Sequence, residues 1–251
     1  MGIVGKIVGG TIGLALGGPL GAIAGAVFGH AFDAGQEDLT QDRHAYLSSL
    51  ESSQLAFFVS TFSMLAKLAQ ADGRVSEKEV ATVQSFATHH LGLKPPDWQV
   101  AFNIFRTALD SPATFEDFAR QFHQLFRHEP QMLEMMIDFL MQVSVADGEL
   151  NPAEEALIQS AVGLFNLSNA HYQQIKARYL HSDDRAYQIL GCRSSDDSET
   201  IKKKYRALAQ SYHPDKIAGI GLPDEFTRLA EEKFREIQAA YETIKKERGI
   251  R

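Results

Sequence analysis

The sequence predicts an all-α protein, and three observations lead to that prediction. Apolar residues recur at helical spacing through most of the 251 residues. Proline or a short polar residue stands where several of these runs begin, as is typical of helix starts. No run shows the alternation of a β-strand bounded by turns. The hydrophobic content of 44% is enough for real cores, and the length suggests about two domains of ordinary size.

Charge and cysteine content exclude some classes of protein. The formal net charge of −7 argues against a nucleic-acid-binding protein, which needs concentrated cationic surface. The charge is uneven, because residues 183–251 hold 14 basic and 13 acidic side chains and residues 1–182 hold 11 and 19. Cys192 is the single cysteine, so an intrachain disulfide and a cysteine-based metal site are both excluded.

The first element is a glycine-rich apolar segment. Its uncharged run from Ile7 to Phe32 is 26 residues long, or about 39 Å as a helix, whereas a bilayer core is about 30 Å thick. This length favours a membrane span over a signal peptide, and we predict a transmembrane helix over residues 1–32, kinked or restarted at Pro19. The alternative is a poorly ordered tail. Glycines four residues apart would form a packing ridge through which two copies associate as a homodimer in the lipid bilayer: Gly5, Gly9, Gly13, Gly17, Gly21, Gly25 and Gly29.

A polar linker and a helical domain follow this segment. Residues 33–52 are predicted to be an exposed linker and residues 53–180 a helical domain. Helix starts are expected at the prolines before Asp97, at Thr114, and at Pro130, because proline and N-cap residues favour the first turn of a helix.

The helical domain contains an internal repeat. "LAQADGRVSEKEV" near residue 72 is echoed 75 residues later by "VSVADGELNPAEE". A duplicated helix hairpin explains the pattern, since Ser76 and Glu79 form a capping box and Asn151 caps a helix that starts at Pro152. The other interpretation is that four carboxylates converge on a cation through oxygen ligands, with weak candidates Asp72, Glu79, Asp147 and Glu154. Their spacing is not that of an EF-hand.

The duplicated Ala-Asp-Gly pattern resembles the tellurite-resistance TerB-like domain over roughly residues 53–180. This resemblance implies an all-helical bundle that serves as an interaction or sensing module without established catalysis. No nucleophile with a base stands out in the chain, so we expect neither an enzyme nor a cofactor.

The C-terminal residues predict a helical hairpin with a basic outer face. Apolar residues of "SETIKKKYRALAQSY" and of "LAEEKFREIQAAYETIKK" each form one stripe, so the two helices should pack through a small core. The loop between them begins His213-Pro214-Asp215, and five basic residues lie on the preceding helix or directly after the loop: Lys202, Lys203, Lys204, Arg206 and Lys216.

Residues 184–251 resemble a J-domain, the signature of DnaJ-type co-chaperones, through "YQILG", the basic helix and the His-Pro-Asp loop. The resemblance implies that the loop and the five basic residues dock on a cytosolic DnaK-type 70-kDa heat-shock chaperone and stimulate its ATP hydrolysis. A basic patch speeds encounter with an acidic partner, and proline presents the loop at low entropic cost.

The order of segments is similar to that of the DnaJ-like membrane co-chaperones of the DjlA family from Gram-negative bacteria. That resemblance implies a single span in the inner membrane with a periplasmic N-terminus and cytoplasmic C-terminal domains. Two features depart from the pattern: the loop "IAGIGLPDEF" is longer than in many J-domains, and almost no linker separates Tyr179 from Arg185. The short join argues against a freely moving J-domain. The competing class is a membrane-bound sensory or metal-responsive adaptor that acts through the TerB-like domain.

Overall fold

The computed structural model describes residues 16–33, 49–73, 75–146, 150–179 and 185–249. In these residues the structure is helical, without a strand, as the sequence predicts. The helices are α1 (Gly18–Asp33), α2 (Ser49–Ala69), α3 (Glu77–Ser85), α4 (Pro95–Asp110), α5 (Phe115–Phe126), α6 (Pro130–Ser144), α7 (Pro152–Leu164), α8 (Asn169–Ala177), α9 (Arg185–Ile189), α10 (Ser198–Ser211), α11 (Pro214–Gly219) and α12 (Asp224–Arg248), with a π-helical turn, Phe86–His90, after α3.

Helix α2 forms the centre of a bundle made by α1–α8, which we call the bundle. Every residue from Gln54 to Ala66 is buried, as expected for a helix surrounded by other helices. Phe57 packs edge-on against Phe122 and Phe139, at centroid distances of 5.6 and 6.1 Å. The aromatic side chains of α2, α5 and α6 therefore supply much of the core.

The bundle helices begin largely at the predicted residues. Ser76 with Glu79 and Thr114 with Asp117 form capping boxes, in which each side chain bonds to the backbone N–H of the other residue. Asn151 caps α7, which has Pro152 as its first residue. These starts were predictable because capping is local in the sequence.

Helix α1 packs on α2, α4 and α5, and it begins next to Pro19, where the sequence predicts a kink or a restart of the helix. Gly17 and Gly18 have φ of 58° and 55°, a left-handed conformation that interrupts the predicted helix, and α1 begins at Gly18. Leu20, Ile23 and Ala24 are buried against the other helices.

The N-terminal turn of α1 is held by Gln121 of α5. The Gln121 amide donates to the carbonyl oxygens of Leu16 (2.9 Å) and Gly17 (2.8 Å), and its Oε1 accepts the Leu20 N–H (2.9 Å). No helix in the described ranges is both long and apolar enough to cross a membrane. Gly5, Gly9 and Gly13 of the predicted ridge lie outside those ranges, whereas Gly17 is not helical and Gly21 is buried.

The C-terminal unit (α9–α12) contains the predicted hairpin. The Tyr205 and Tyr241 rings stack at a centroid distance of 4.0 Å, and His213 lies edge-on to Phe234 at 5.6 Å. The chain runs from Tyr205 to His213 along α10, whereas the residues that these two contact run backwards along α12, from Tyr241 to Phe234. The helices α10 and α12 are therefore antiparallel. Ile201, Ile237 and Ile244 are buried in the small core between them.

The C-terminal unit is joined to the bundle by an apolar contact. Phe226 of α12 is fully buried and lies at centroid distances of 4.9 Å from Phe57 and 5.2 Å from Phe139. The Gln54 amide donates to the Leu222 carbonyl oxygen at 3.0 Å, and the Arg228 guanidinium donates to the Leu91 carbonyl. The long loop and the start of α12 thus complete the core of the bundle.

Candidate functional site

The His-Pro-Asp loop (His213–Asp215) lies where α10 ends and α11 begins. Tyr212 is the C-cap of α10, and His213 is the N-cap of α11. The His213 Nδ1 accepts the Asp215 backbone N–H at 3.2 Å, and Pro214 is the first residue of α11. Proline fixes φ where that helix starts, so the loop has a defined backbone shape.

The loop presents its two polar side chains to solvent. The side chains of His213 and Asp215 are 50% and 93% exposed. The His213 Nδ1 lies 3.8 Å from the Asp215 carboxylate, and the imidazole ring packs against the Phe234 ring in a T-shaped contact. This arrangement offers a hydrogen-bonding pair to a partner surface.

The structure divides the four predicted basic residues of α10 into two groups. Lys203 and Arg206 are exposed on α10. Lys202 is half-buried beside Glu199, and Lys204 donates to the Gly191 carbonyl and lies 3.3 Å from Asp196. Lys204 therefore ties α10 to the preceding loop. The helical wheel did not distinguish Lys204 from the exposed basic residues, because Lys204 becomes half-buried only when the loop before α10 folds back onto that helix.

Lys216 faces the bundle. It is half-buried and lies close enough to Glu134 of α6 to influence its pKa. Burial raises the pKa of the Glu134 carboxyl, against the opposing attraction of His171, whose Nε2 lies 3.6 Å from it. The bundle thus reaches the edge of the His-Pro-Asp loop.

A buried polar cluster that the sequence reasoning missed lies beside the loop. We call it the Arg178 cluster: Asp138, Arg178, Tyr179 and Tyr212. The Arg178 Nη1 lies 3.4 Å from Asp138 Oδ1 and donates to the Tyr212 hydroxyl at 3.2 Å. The Tyr179 hydroxyl donates to Asp138 Oδ1 at 2.9 Å. Glu134 and Asp138 interrupt the apolar run "MLEMMIDFLMQV", and an acid in such a run was the available signal that a buried partner exists.

The acidic residues of the repeat line a shallow cavity. Asp72, Glu79 and Glu154 border a space of about 250 Å³ between α2, α3 and α7. Glu79 is engaged in its capping box, and Asp147 lies outside the described residues. Among the residues that the structure describes, no three acidic, histidine or cysteine side chains are grouped closely enough to hold a metal ion.

Cys192 is a buried thiol next to the end of α9. Burial raises its pKa to about 11, so the reactive thiolate is scarce at neutral pH. The structure therefore gives Cys192 a packing environment.

Comparison with known families gives matches to three segments of the chain. Residues 58–177 match the model of the tellurite resistance protein TerB, and residues 185–250 match the DnaJ domain. Residues 1–39 match the transmembrane domain of the co-chaperone DjlA. No solved structure matches the chain.

Curated relatives are similar over nearly the whole length. Co-chaperone protein DjlA of Escherichia coli K12 is 28% identical over 246 residues, which cover 88% of this chain and 89% of the relative. The proteins of the same name from Salmonella typhimurium and Shewanella oneidensis are each 27% identical, covering 88% and 82% of this chain and 89% and 83% of theirs. The three domain matches in this order, together with relatives that align over 82–88% of the chain, make the chain similar to the co-chaperones named DjlA.

Proposed function

We propose that this protein is a membrane-anchored J-domain co-chaperone that stimulates ATP hydrolysis by a cytosolic DnaK-type 70-kDa chaperone. The observation that carries the proposal is the exposed His213–Asp215 pair at the end of α10, inside the residues that match the DnaJ domain. Lys203 and Arg206 stand exposed on the same helix. Exposed cations of this kind accelerate encounter with an acidic partner.

The test is ATP hydrolysis by a purified DnaK-type chaperone in the presence of the full chain. The full chain is needed because Phe226 would lose its buried environment in an isolated C-terminal unit. We expect stimulation by the unaltered protein and its loss in His213→Gln. Equal stimulation by both proteins would refute the role of the loop.

The role of the basic residues has a matched control on the same unit. Lys203→Glu with Arg206→Glu should raise the concentration needed for half-maximal stimulation, most strongly at low salt. Lys246 is an exposed cation at the far end of α12, so Lys246→Glu should leave that concentration nearly unchanged. Equal effects of the two charge reversals would indicate a general response to net charge.

We propose that the N-terminal segment anchors the protein in the bacterial inner membrane, with the N-terminus periplasmic and the C-terminal domains cytoplasmic. Support comes from the match of residues 1–39 to the DjlA transmembrane domain and from the need of a DnaK-type partner for cytosolic ATP. Protease added to intact spheroplasts should leave α2–α12 uncut. Cleavage of these helices would reverse the proposed topology.

The part played by α1 in anchoring can be separated from that of the residues before it. Leu20 and Ile23 cannot contact lipid while they are buried in the bundle. Removal of residues 2–15 should therefore release the protein from membranes if α1 stays on the bundle. Retention of the shortened protein in the membrane fraction would mean that α1 leaves the bundle and inserts.

The proposed homodimer rests on the glycine ridge of the N-terminal segment. Close backbone contact between helices in lipid favours small residues at this spacing. Replacement of Gly9 and Gly13 by Leu should lower cross-linking between copies in membranes, whereas replacement of the buried Gly21 would disturb the bundle itself. Unchanged cross-linking of the Gly9 and Gly13 variant would exclude the ridge as the contact.

A further inference from the structure

The two domains meet through a polar contact next to the His-Pro-Asp loop. Arg178 ends the bundle helix α8, and Tyr212 ends α10 of the C-terminal unit. The Arg178 Nη1 donates to the Tyr212 hydroxyl at 3.2 Å, and the guanidinium carbon lies 5.6 Å from the centre of the Tyr212 ring. The bundle therefore holds the residue that directly precedes His213.

This contact is removed from water. The side chain of Arg178 is 6% exposed and that of Asp138 is 0% exposed, and Tyr212 is buried as well. Hydrogen bonds to a charged group in such surroundings are stronger than those at the surface. Burial raises the pKa of the Tyr212 phenol, so its hydroxyl stays protonated and keeps its place in the cluster.

The rest of the interface limits movement around this contact. Phe226 is inserted in the bundle core, as described above, and the Lys233 ammonium of α12 lies 4.6 Å from the ring centre of Tyr179. Contacts on both sides of the loop, one before His213 and the others along α12, fix its orientation. At the same time His213 and Asp215 stay exposed, so docking to the bundle does not cover them.

We propose that Arg178 and Tyr212 are positioning residues that couple the His-Pro-Asp loop to the TerB-like bundle. The inference rests on the proposed co-chaperone function. Arg178 acts through Tyr212, which fixes the start of the loop, and the loop meets its partner already ordered. Because the loop is ordered before it binds, association costs less conformational entropy, and the affinity for the partner is higher.

The variant Tyr212→Phe tests the proposal, because it keeps the ring and removes the hydroxyl that Arg178 contacts. With the full chain and a DnaK-type chaperone, we expect the concentration for half-maximal stimulation to rise about tenfold or more, because the lost hydrogen bond is to a charged group. The maximal rate should stay unchanged. A merely structural defect that lowers the active fraction would also raise the half-maximal concentration, so each concentration is expressed per folded protein, with the folded fraction of every variant measured by circular dichroism.

Tyr187→Phe is the matched control. The Arg248 Nε donates to the Tyr187 hydroxyl at 2.8 Å, a tyrosine–arginine contact that lies entirely within the C-terminal unit. It should leave the half-maximal concentration near that of the unaltered protein. Equal rises in the two variants, or no rise in Tyr212→Phe, would overturn the positioning role.

A distance measurement tests the coupling without the chaperone. Spin labels at Arg106→Cys on α4 and Glu242→Cys on α12, both exposed, in a Cys192→Ala background should give one narrow distance distribution. Tyr212→Phe should broaden it, and Tyr187→Phe should not. If the unaltered protein fails to stimulate the chaperone but Tyr212→Phe alone broadens the distance distribution, the co-chaperone function is refuted and the coupling stands. If Tyr212→Phe leaves the distance distribution unchanged, the coupling is refuted.

Discussion

Asp138→Asn should destabilise the protein severely, because it removes the charged partner of a buried guanidinium. The Asp138 carboxylate is 0% exposed and the Arg178 side chain is 6% exposed, so water cannot solvate the guanidinium once its counter-charge is removed. Breaking a buried ion pair on one side costs about 3–5 kcal/mol. With an m-value of about 3 kcal/mol per molar urea, the unfolding midpoint should fall by about 1–2 M.

Replacement of both partners should be far less harmful. The pair is incompletely satisfied, since Asp138 Oδ2 and Arg178 Nε are buried without a hydrogen-bond partner among the residues that the structure describes. Apolar replacement of a buried pair is often neutral or stabilising by about 1–4 kcal/mol, whereas an unpaired Tyr212 hydroxyl costs about 1–3 kcal/mol. Asp138→Leu with Arg178→Met should therefore change the free energy of unfolding by much less than Asp138→Asn does.

Urea unfolding of the full chain, followed by circular dichroism, measures both variants. Glu242→Gln is the control, because Glu242 pairs with Lys245 at the surface, where the two side chains are 67% and 41% exposed; its cost should be small. The reasoning is refuted if Asp138→Asn costs less than about 1 kcal/mol, or if the double variant is as unstable as the sum of its single changes.

Three further predictions follow from other parts of the bundle. Gln121→Leu removes three hydrogen bonds to the start of α1 and should cost about 2–4 kcal/mol in urea unfolding, while the exposed Gln124→Leu should cost little; equal costs would contradict the assignment. The pKa of Glu134 is raised by burial, so its ionisation opposes folding, and wild-type stability should fall as pH rises through the folded pKa. Glu134→Gln should therefore raise the free energy of unfolding at pH 7, despite the loss of the His171 contact, but should not raise it below about pH 4. Parallel profiles of stability against pH for the variant and the unaltered protein would refute this. Native Cys192, with its pKa of about 11, should react with iodoacetamide at pH 8 much more slowly than the unfolded chain; equal rates would show that the thiol is accessible.

Local signals predicted most of the helices. Ser76, Thr114 and Asn151 cap the helices that they were expected to cap, because an N-cap depends on residues only two or three positions away. The hairpin of the C-terminal unit could be predicted equally well, since two neighbouring helices with one apolar stripe each need each other for burial.

Contacts between distant segments were beyond the same reasoning. Phe226 looked like part of a long surface loop, and only the folded bundle shows the space among Phe57, Phe58 and Phe139 that it fills. Gly17 fitted a ridge with a period of four, but glycine also permits the positive φ observed there. Spacing alone does not distinguish these two uses of glycine.

The place of Phe226 in the bundle core affects how the chain folds during synthesis. The bundle's last helix ends at Ala177, and Phe226 is translated 49 residues later. At about 5–20 residues per second, the ribosome takes roughly 2–10 s to cover that distance. During this interval the aromatic centre of the nascent bundle lacks one of its rings and exposes apolar surface, so the newly made protein is itself a candidate substrate for chaperones until its C-terminal unit arrives.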